Sequence, residues 1–203
     1  MTRKIRIGIF HGIDTPADYP YKEKAEKALA ENGIDADVVE LRWPSTGTIM
    51  GDIWKLMTSG EYREECRARA SMQLDMNTVL SCEEDPHLDI VIGHSMGQVM
   101  MIEAMKAINV DVPMISIGGA LSHPLWGKAL RAVGLGKPDK NWHDIPMLWN
   151  ADDIVTAWHF WQTNPKGFHP IRIAVAGSFR NEHPMELYLR HPLLRTEIET
   201  RII

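Results

Sequence analysis

Short apolar runs recur along this chain, and stretches with helical periodicity lie between them. Ile5 to Phe10 alternates in the manner of a strand. Tyr21 to Asn32 sets Ala25, Ala28 and Leu29 on one helical face and meets a stop signal at Gly33. Ala36 to Leu41 reads as a second strand, and Tyr62 to Cys82 as a helix that ends before Pro86. A strand from Leu88 to Ile92 is followed by a helix from Met96 to Ile108, and Val112 to Ile117 forms the next strand. Ile145 to Trp149 is another strand, with a helical segment around Val155 to Gln162. Ile171 to Ala176 is the last strand, and Pro192 to Ile202 a closing helix with proline in its first turn. Alternation of this kind predicts an α/β fold: a parallel sheet of about six strands, covered by helices on both faces. In open sheets of that class, chemistry gathers at the carboxyl ends of the strands.

Two segments exceed simple connections, residues 42–61 and 120–144. Both leave carboxyl ends of strands, and both carry large apolar residues: Ile49, Met50, Ile53 and Trp54 in the first, Leu125 and Trp126 in the second. Each reads equally as a lid or substrate wall, or as extra core packed under a long loop. Of the seven tryptophans, Trp126, Trp142, Trp149, Trp158 and Trp161 fall in the second half. Core packing accounts for most of them, since large aromatics dominate cores.

Composition narrows the function classes. A length of 203 residues suits one domain, residues 1–203, with a substantial core. Hydrophobic residues make up 44% and charged residues 24%, ordinary values for a globular protein. A net charge of -5 without a basic run argues against nucleic acid as a partner. No apolar stretch approaches a membrane span. The start of the chain reads as a first strand rather than a targeting segment, so a cytoplasmic location is expected. Cys66 and Cys82 form neither a disulfide framework nor a metal spacing and are expected as reduced thiols. No ligand-spaced cluster points to a metal, and no cofactor is expected.

The chemistry concentrates between Asp89 and Gly97. An apolar strand runs into Gly93-His-Ser-Met-Gly97, and a helix follows at once. Strand, sharp turn with serine at its apex, then helix is the context of a nucleophile elbow. The glycines must be small where strand and helix approach, and Ser95 stands at the positive end of a helix. After the first strand comes His11-Gly12-Ile13. The backbone N–H groups of Ile13 and Met96 are the candidate oxyanion donors, with His11 as a brace for the loop. Asp152 and Asp153 follow the fifth strand. Asp152 is preferred as the carboxylate that orients an imidazole, and Asp153 as a helix cap. Two histidines follow the last strand. His183, in the loop directly after it, is the candidate general base; His191, beside Pro192, suits a capping role.

The order Ser95, Asp152, His183 is that of α/β-hydrolases. The chain resembles this superfamily, and within it is similar to the minimal, Bacillus-type lipases, which lack the first two strands of the full fold. The resemblance rests on the opening strand with His11-Gly12-Ile13, on Gly93 to Gly97, on Ala151 to Val155, and on His183. These pieces span nearly the whole chain. The sequence departs from those lipases in its two longer segments and in a tail before His183 longer than their Gly-x-x-His arrangement. The resemblance implies a serine hydrolase acting on a small-molecule ester or acyl substrate through an acyl-enzyme, with no cofactor. A thioesterase or acyltransferase would share the triad, and a noncatalytic binding protein would share the fold. A nucleotide-binding domain lacks its glycine signature after the first strand, and haloalkane dehalogenation would need a carboxylate where Ser95 stands.

Overall fold

A computed structural model describes residues 4–13, 19–46, 48–78, 87–139, 142–150, 167–173 and 184–202. The elements in chain order begin with strand β1 (Ile5–Phe10), helix α1 (Tyr21–Glu31) and strand β2 (Ala36–Leu41). Helices α2 (Ile49–Thr58) and α3 (Gly60–Thr78) lead to strand β3 (Ile90–His94) and helix α4 (Gly97–Ile108). Strand β4 (Met114–Ile117), a 3₁₀ turn (Ala120–Ser122), helix α5 (Pro124–Ala132) and strand β5 (Ile145–Asn150) come next. Strand β6 (Phe168–Ile173) and helices α6 (Met185–Leu189) and α7 (Pro192–Ile202) complete the described chain.

The six strands form one sheet in the order β2-β1-β3-β4-β5-β6, and every pair is parallel. The order of connection reverses between β1 and β3. That switch point opens a crevice at the carboxyl ends of those two strands, where such sheets place their ligands. The inner strands β3 and β5 are buried along their whole length, as sheets covered on both faces require.

Alternation along the strands feeds two cores. Ile7, Ile9, Ile90, Ile92, Ile115 and Ile117 face α1, α6 and α7, and meet Ala25, Leu29, Tyr188, Leu194 and Ile198 there. On the opposite face, Phe10, Val91 and Met147 meet α3, α4 and α5 through residues such as Leu74, Met100, Met101 and Leu130. Helix α4 is buried almost all round, from Gly97 to Met105, which explains its run of apolar residues. Its acid, Glu103, is satisfied: Arg67 Nε donates to it at 2.8 Å and the Gly136 N–H at 2.9 Å. In α3 the buried positions are Tyr62, Cys66, Ala70, Leu74 and Thr78, one per turn.

The predicted class and layering hold, and the differences are local. Strand β3 starts at Ile90, two residues later than the pattern suggested. The preceding Asp89 is a tie rather than a strand residue, since its carboxylate accepts the Arg6 N–H at 2.7 Å. Strand β6 starts at Phe168, three residues before the predicted start at Ile171, and runs through Pro170. Proline is tolerated because β6 is an edge strand and one side of it needs no donor. Helix α1 closes through Gly33 at φ 80°, with Gly33 N–H to Ala30 O and Ile34 N–H to Leu29 O, both at 2.9 Å. The helical segment predicted around Val155 to Gln162 and the end of the last predicted strand lie outside the described residues. Among the described residues no helix is long and apolar enough to cross a membrane, and no cluster could hold a metal ion.

Candidate active site

Ser95 sits at the turn between β3 and α4 with φ 55°, the left-handed region that non-glycine residues avoid. Surrounding bonds hold it there. Its N–H donates to Ile117 O at 3.1 Å, tying the turn to β4. Its carbonyl accepts from Gln98 N–H at 3.2 Å and from Ala120 N–H at 3.1 Å. The flanking glycines are steric necessities. A Cβ on Gly93 would fall 2.6 Å from Gln98 Cα, where strand meets helix. A Cβ on Gly97 would fall 2.6 Å from the His11 carbonyl oxygen and closer still to that of Phe10. Helix α4 therefore starts against the end of β1, and this contact brings the first loop to the serine.

That loop passes directly over Ser95. A Cβ on Gly12 would lie 3.0 Å from Ser95 Cβ and 3.5 Å from its Oγ. Ile13 is the next residue. The N–H groups of Ile13 and Met96 make no hydrogen bond among the described residues. Met96 has helical dihedrals (φ -66°, ψ -23°) but precedes the first helical residue, so its N–H belongs to the unpaired first turn of α4. Ser95 is 9% exposed, under the loop yet not sealed.

His11 braces this loop and takes no position at the serine's hydroxyl among the contacts observed. Its Nδ1–H donates to the Gly12 carbonyl at 2.7 Å. Its ring stacks on Trp43 with centroids 5.9 Å apart and meets Tyr21 edge-on at 6.0 Å. Trp43 Nε1–H in turn donates to the His11 carbonyl at 3.0 Å. Burial pushes the imidazole pKa below its ordinary value, so His11 is held neutral. Trp43 was not singled out by sequence; an isolated tryptophan after a strand gives no hint of such a role.

The two long segments carry the helices α2 and α5, which touch one another. One follows β2 and the other β4, so their contact spans the ends of β1 and β3 between them. Their inward residues, Leu56, Leu121 and Leu130, join the main core. Their outward residues, Met50, Trp54 and Leu125, are 70%, 69% and 66% exposed. Two buried polar residues shape these walls. Asp52 accepts from Ser45 Oγ at 2.6 Å, Thr46 N–H at 2.5 Å and Tyr62 Oη at 2.9 Å, which folds the loop after β2. His123 caps α5, its Nδ1 accepting from the N–H groups of Leu125 and Trp126, both at 3.3 Å. Sequence reading missed both roles, and only the His-Pro step before α5 offered a signal.

Asp152, Asp153 and His183 lie outside the described residues. The strands that precede them end at Asn150 and Ile173, at the same edge of the sheet as Ser95. His191 is described, and it caps: its Nδ1 accepts from Leu193 N–H at 3.2 Å at the start of α7. Of the segments singled out in the sequence, the structure sets Gly12 against Ser95.

No family model and no curated protein sequence matches the chain. Solved structures do. An α/β serine hydrolase without a lid from Xanthomonas campestris superposes with a TM-score of 0.51 at 14% identity, over 98% of this chain and 80% of that one. Dienelactone hydrolase from Anabaena variabilis gives 0.47 at 16%, over 97% and 84%. Est1E from Butyrivibrio proteoclasticus gives 0.49 at 13%, over 98% and 89%. At such identities the likeness is one of fold. Together with the strand order and the turn after β3, the first of these shows that the chain has an α/β-hydrolase fold, with six parallel strands among the described residues.

Proposed function

We propose that this chain is a serine hydrolase that cleaves carboxylic esters. The observation that carries the reading is Ser95 itself. A serine held at φ 55° between a buried strand and a buried helix is strained, and such strain clusters at functional sites. Two backbone donors, Met96 N–H next in sequence and Ile13 N–H one residue beyond Gly12, have no acceptor of their own among the described residues. In the proposed mechanism Ser95 Oγ attacks the ester carbonyl while His183 takes its proton. The developing oxyanion is held by the two N–H groups. Asp152 orients His183 and stabilises its charged form. His183 returns the proton to the leaving alcohol, and water then splits the acyl-enzyme by the same steps.

Labelling with a fluorophosphonate followed by peptide mapping tests this directly. A single adduct on Ser95, together with turnover of short-chain esters that Ser95→Ala abolishes, is the expected result. A folded protein that takes no adduct and turns over no ester would refute it. Asp152→Asn should cost far more activity than Asp153→Asn, and equal losses would reassign the carboxylate. His183→Ala should match Ser95→Ala in severity, because triad members act as a unit.

A further inference from the structure

We infer that Gln98 is a positioning residue for the reaction proposed at Ser95, an inference that rests on that reading. Gln98 is the second residue of α4 and is wholly buried. An amide buried in an apolar helix is costly unless it is bonded. Its Oε1 accepts the Leu121 N–H at 3.0 Å, and its Nε2 faces Met147 Sδ at 3.5 Å, a weak acceptor. The donor at Leu121 fixes which end of the amide is oxygen.

The bond matters because of what lies next to it. Ala120 N–H donates to the Ser95 carbonyl, which also receives the Gln98 N–H. Two successive N–H groups of the loop after β4 are therefore held, one by the backbone of Ser95 and one by the side chain of Gln98. Elbow and loop form a single unit. Gly119 lets them close. A Cβ there would lie 2.5 Å from Gln98 Cδ and 2.6 Å from Ser116 Oγ, and nearer still to Gln98 Oε1. Strained residues persist only where their surroundings over-determine them. Gly12 confines Ser95 from the β1 side, and the Gln98–Leu121 bond does so from the β4 side. Without that bond the loop can withdraw, the Ser95 carbonyl loses Ala120, and Oγ shifts relative to the N–H groups of Ile13 and Met96.

Gln98→Met keeps length and bulk but removes the acceptor. Three quantities are measured: melting temperature, the second-order rate of fluorophosphonate labelling at Ser95, and kcat and KM on p-nitrophenyl acetate. The variant should stay folded, with labelling and kcat reduced about 10²-fold and KM nearly unchanged, the size of effect that a misplacement of about 1 Å produces. Gly119→Ala, which forces the loop off an intact Gln98, should give the same loss, and it decides the matter if Gln98→Met does not fold. In a Gln98→Ala/Ser116→Ala background, which clears the side-chain atoms that the new Cβ would strike, Gly119→Ala should add nothing to the loss of that background. A lower melting temperature with full labelling rate would make the amide purely structural and overturn the inference, as would additive losses. A wild type that takes no label would instead overturn the hydrolase reading, and this one with it.

Discussion

A left-handed backbone costs an L-residue about 1–2 kcal/mol, and Ser95 adopts it with φ 55°. Ser95→Ala keeps that strain, whereas Ser95→Gly removes it. Both variants should be inert to the fluorophosphonate, but thermal denaturation should show Ser95→Gly more stable than Ser95→Ala by about 1 kcal/mol. Equal stabilities would mean that the turn relaxes once the hydroxyl is gone. Gly12→Ala probes the neighbouring contact. Its Cβ would press on Ser95 Cβ at 3.0 Å, so activity should fall steeply while the fold survives. Gly97→Ala should unfold the protein, because its Cβ would strike backbone carbonyls that cannot move aside. The serine and its glycines were legible because the spacing Gly-x-Ser-x-Gly follows an apolar strand. Gln98, Trp43 and Asp52 were not. Their roles depend on partners 23, 32 and 10 positions away, and no local pattern records such pairings.

At the scale of elements, the strands were legible because burial on both faces demands near-continuous apolar runs. Helices α2 and α5 were not read as helices although both are strongly amphipathic; their large exposed residues Met50, Trp54 and Leu125 drew the reading toward a lid or substrate wall instead. What holds α2 in place is Asp52, whose carboxylate gathers three donors. Asp52→Asn would turn one of those acceptors into a donor facing donors. It should destabilise the protein by about 1–3 kcal/mol in chemical denaturation, and it should loosen the loop that carries Trp43. An unchanged denaturation midpoint would show that the loop is held by packing alone. Asp152 and His183 lie outside the described residues, so their proposed part in a triad is read from the sequence.

Across the whole molecule, buried titratable groups set a pH window for stability. His11 and His123 both have pKa values pushed below 6.5 by burial. The unfolded chain therefore binds their protons first, so their contribution is intact above pH 6.5 and is lost as pH falls through the lowered folded values. The melting temperature should drop on acidification in that range. His123→Asn, which can still cap α5, should flatten part of the slope; an unchanged slope would exclude His123 as a source of it. Cys66 works at the other end. Burial pushes its thiol up to about 12 from 9.0. Its contribution is intact below pH 9.0 and is lost as pH rises toward 12. The same thiol is also a stopwatch. It lies on the inner face of α3, with no exposed surface. In a Cys82→Ser chain, a thiol reagent at neutral pH can react only after α3 has lifted from the core in which Cys66 is buried. The labelling half-life then counts openings of the crossover between β2 and β3. Compared with the rate of global unfolding, it tells whether the wall that carries α2 breathes by itself or only when the entire sheet comes apart.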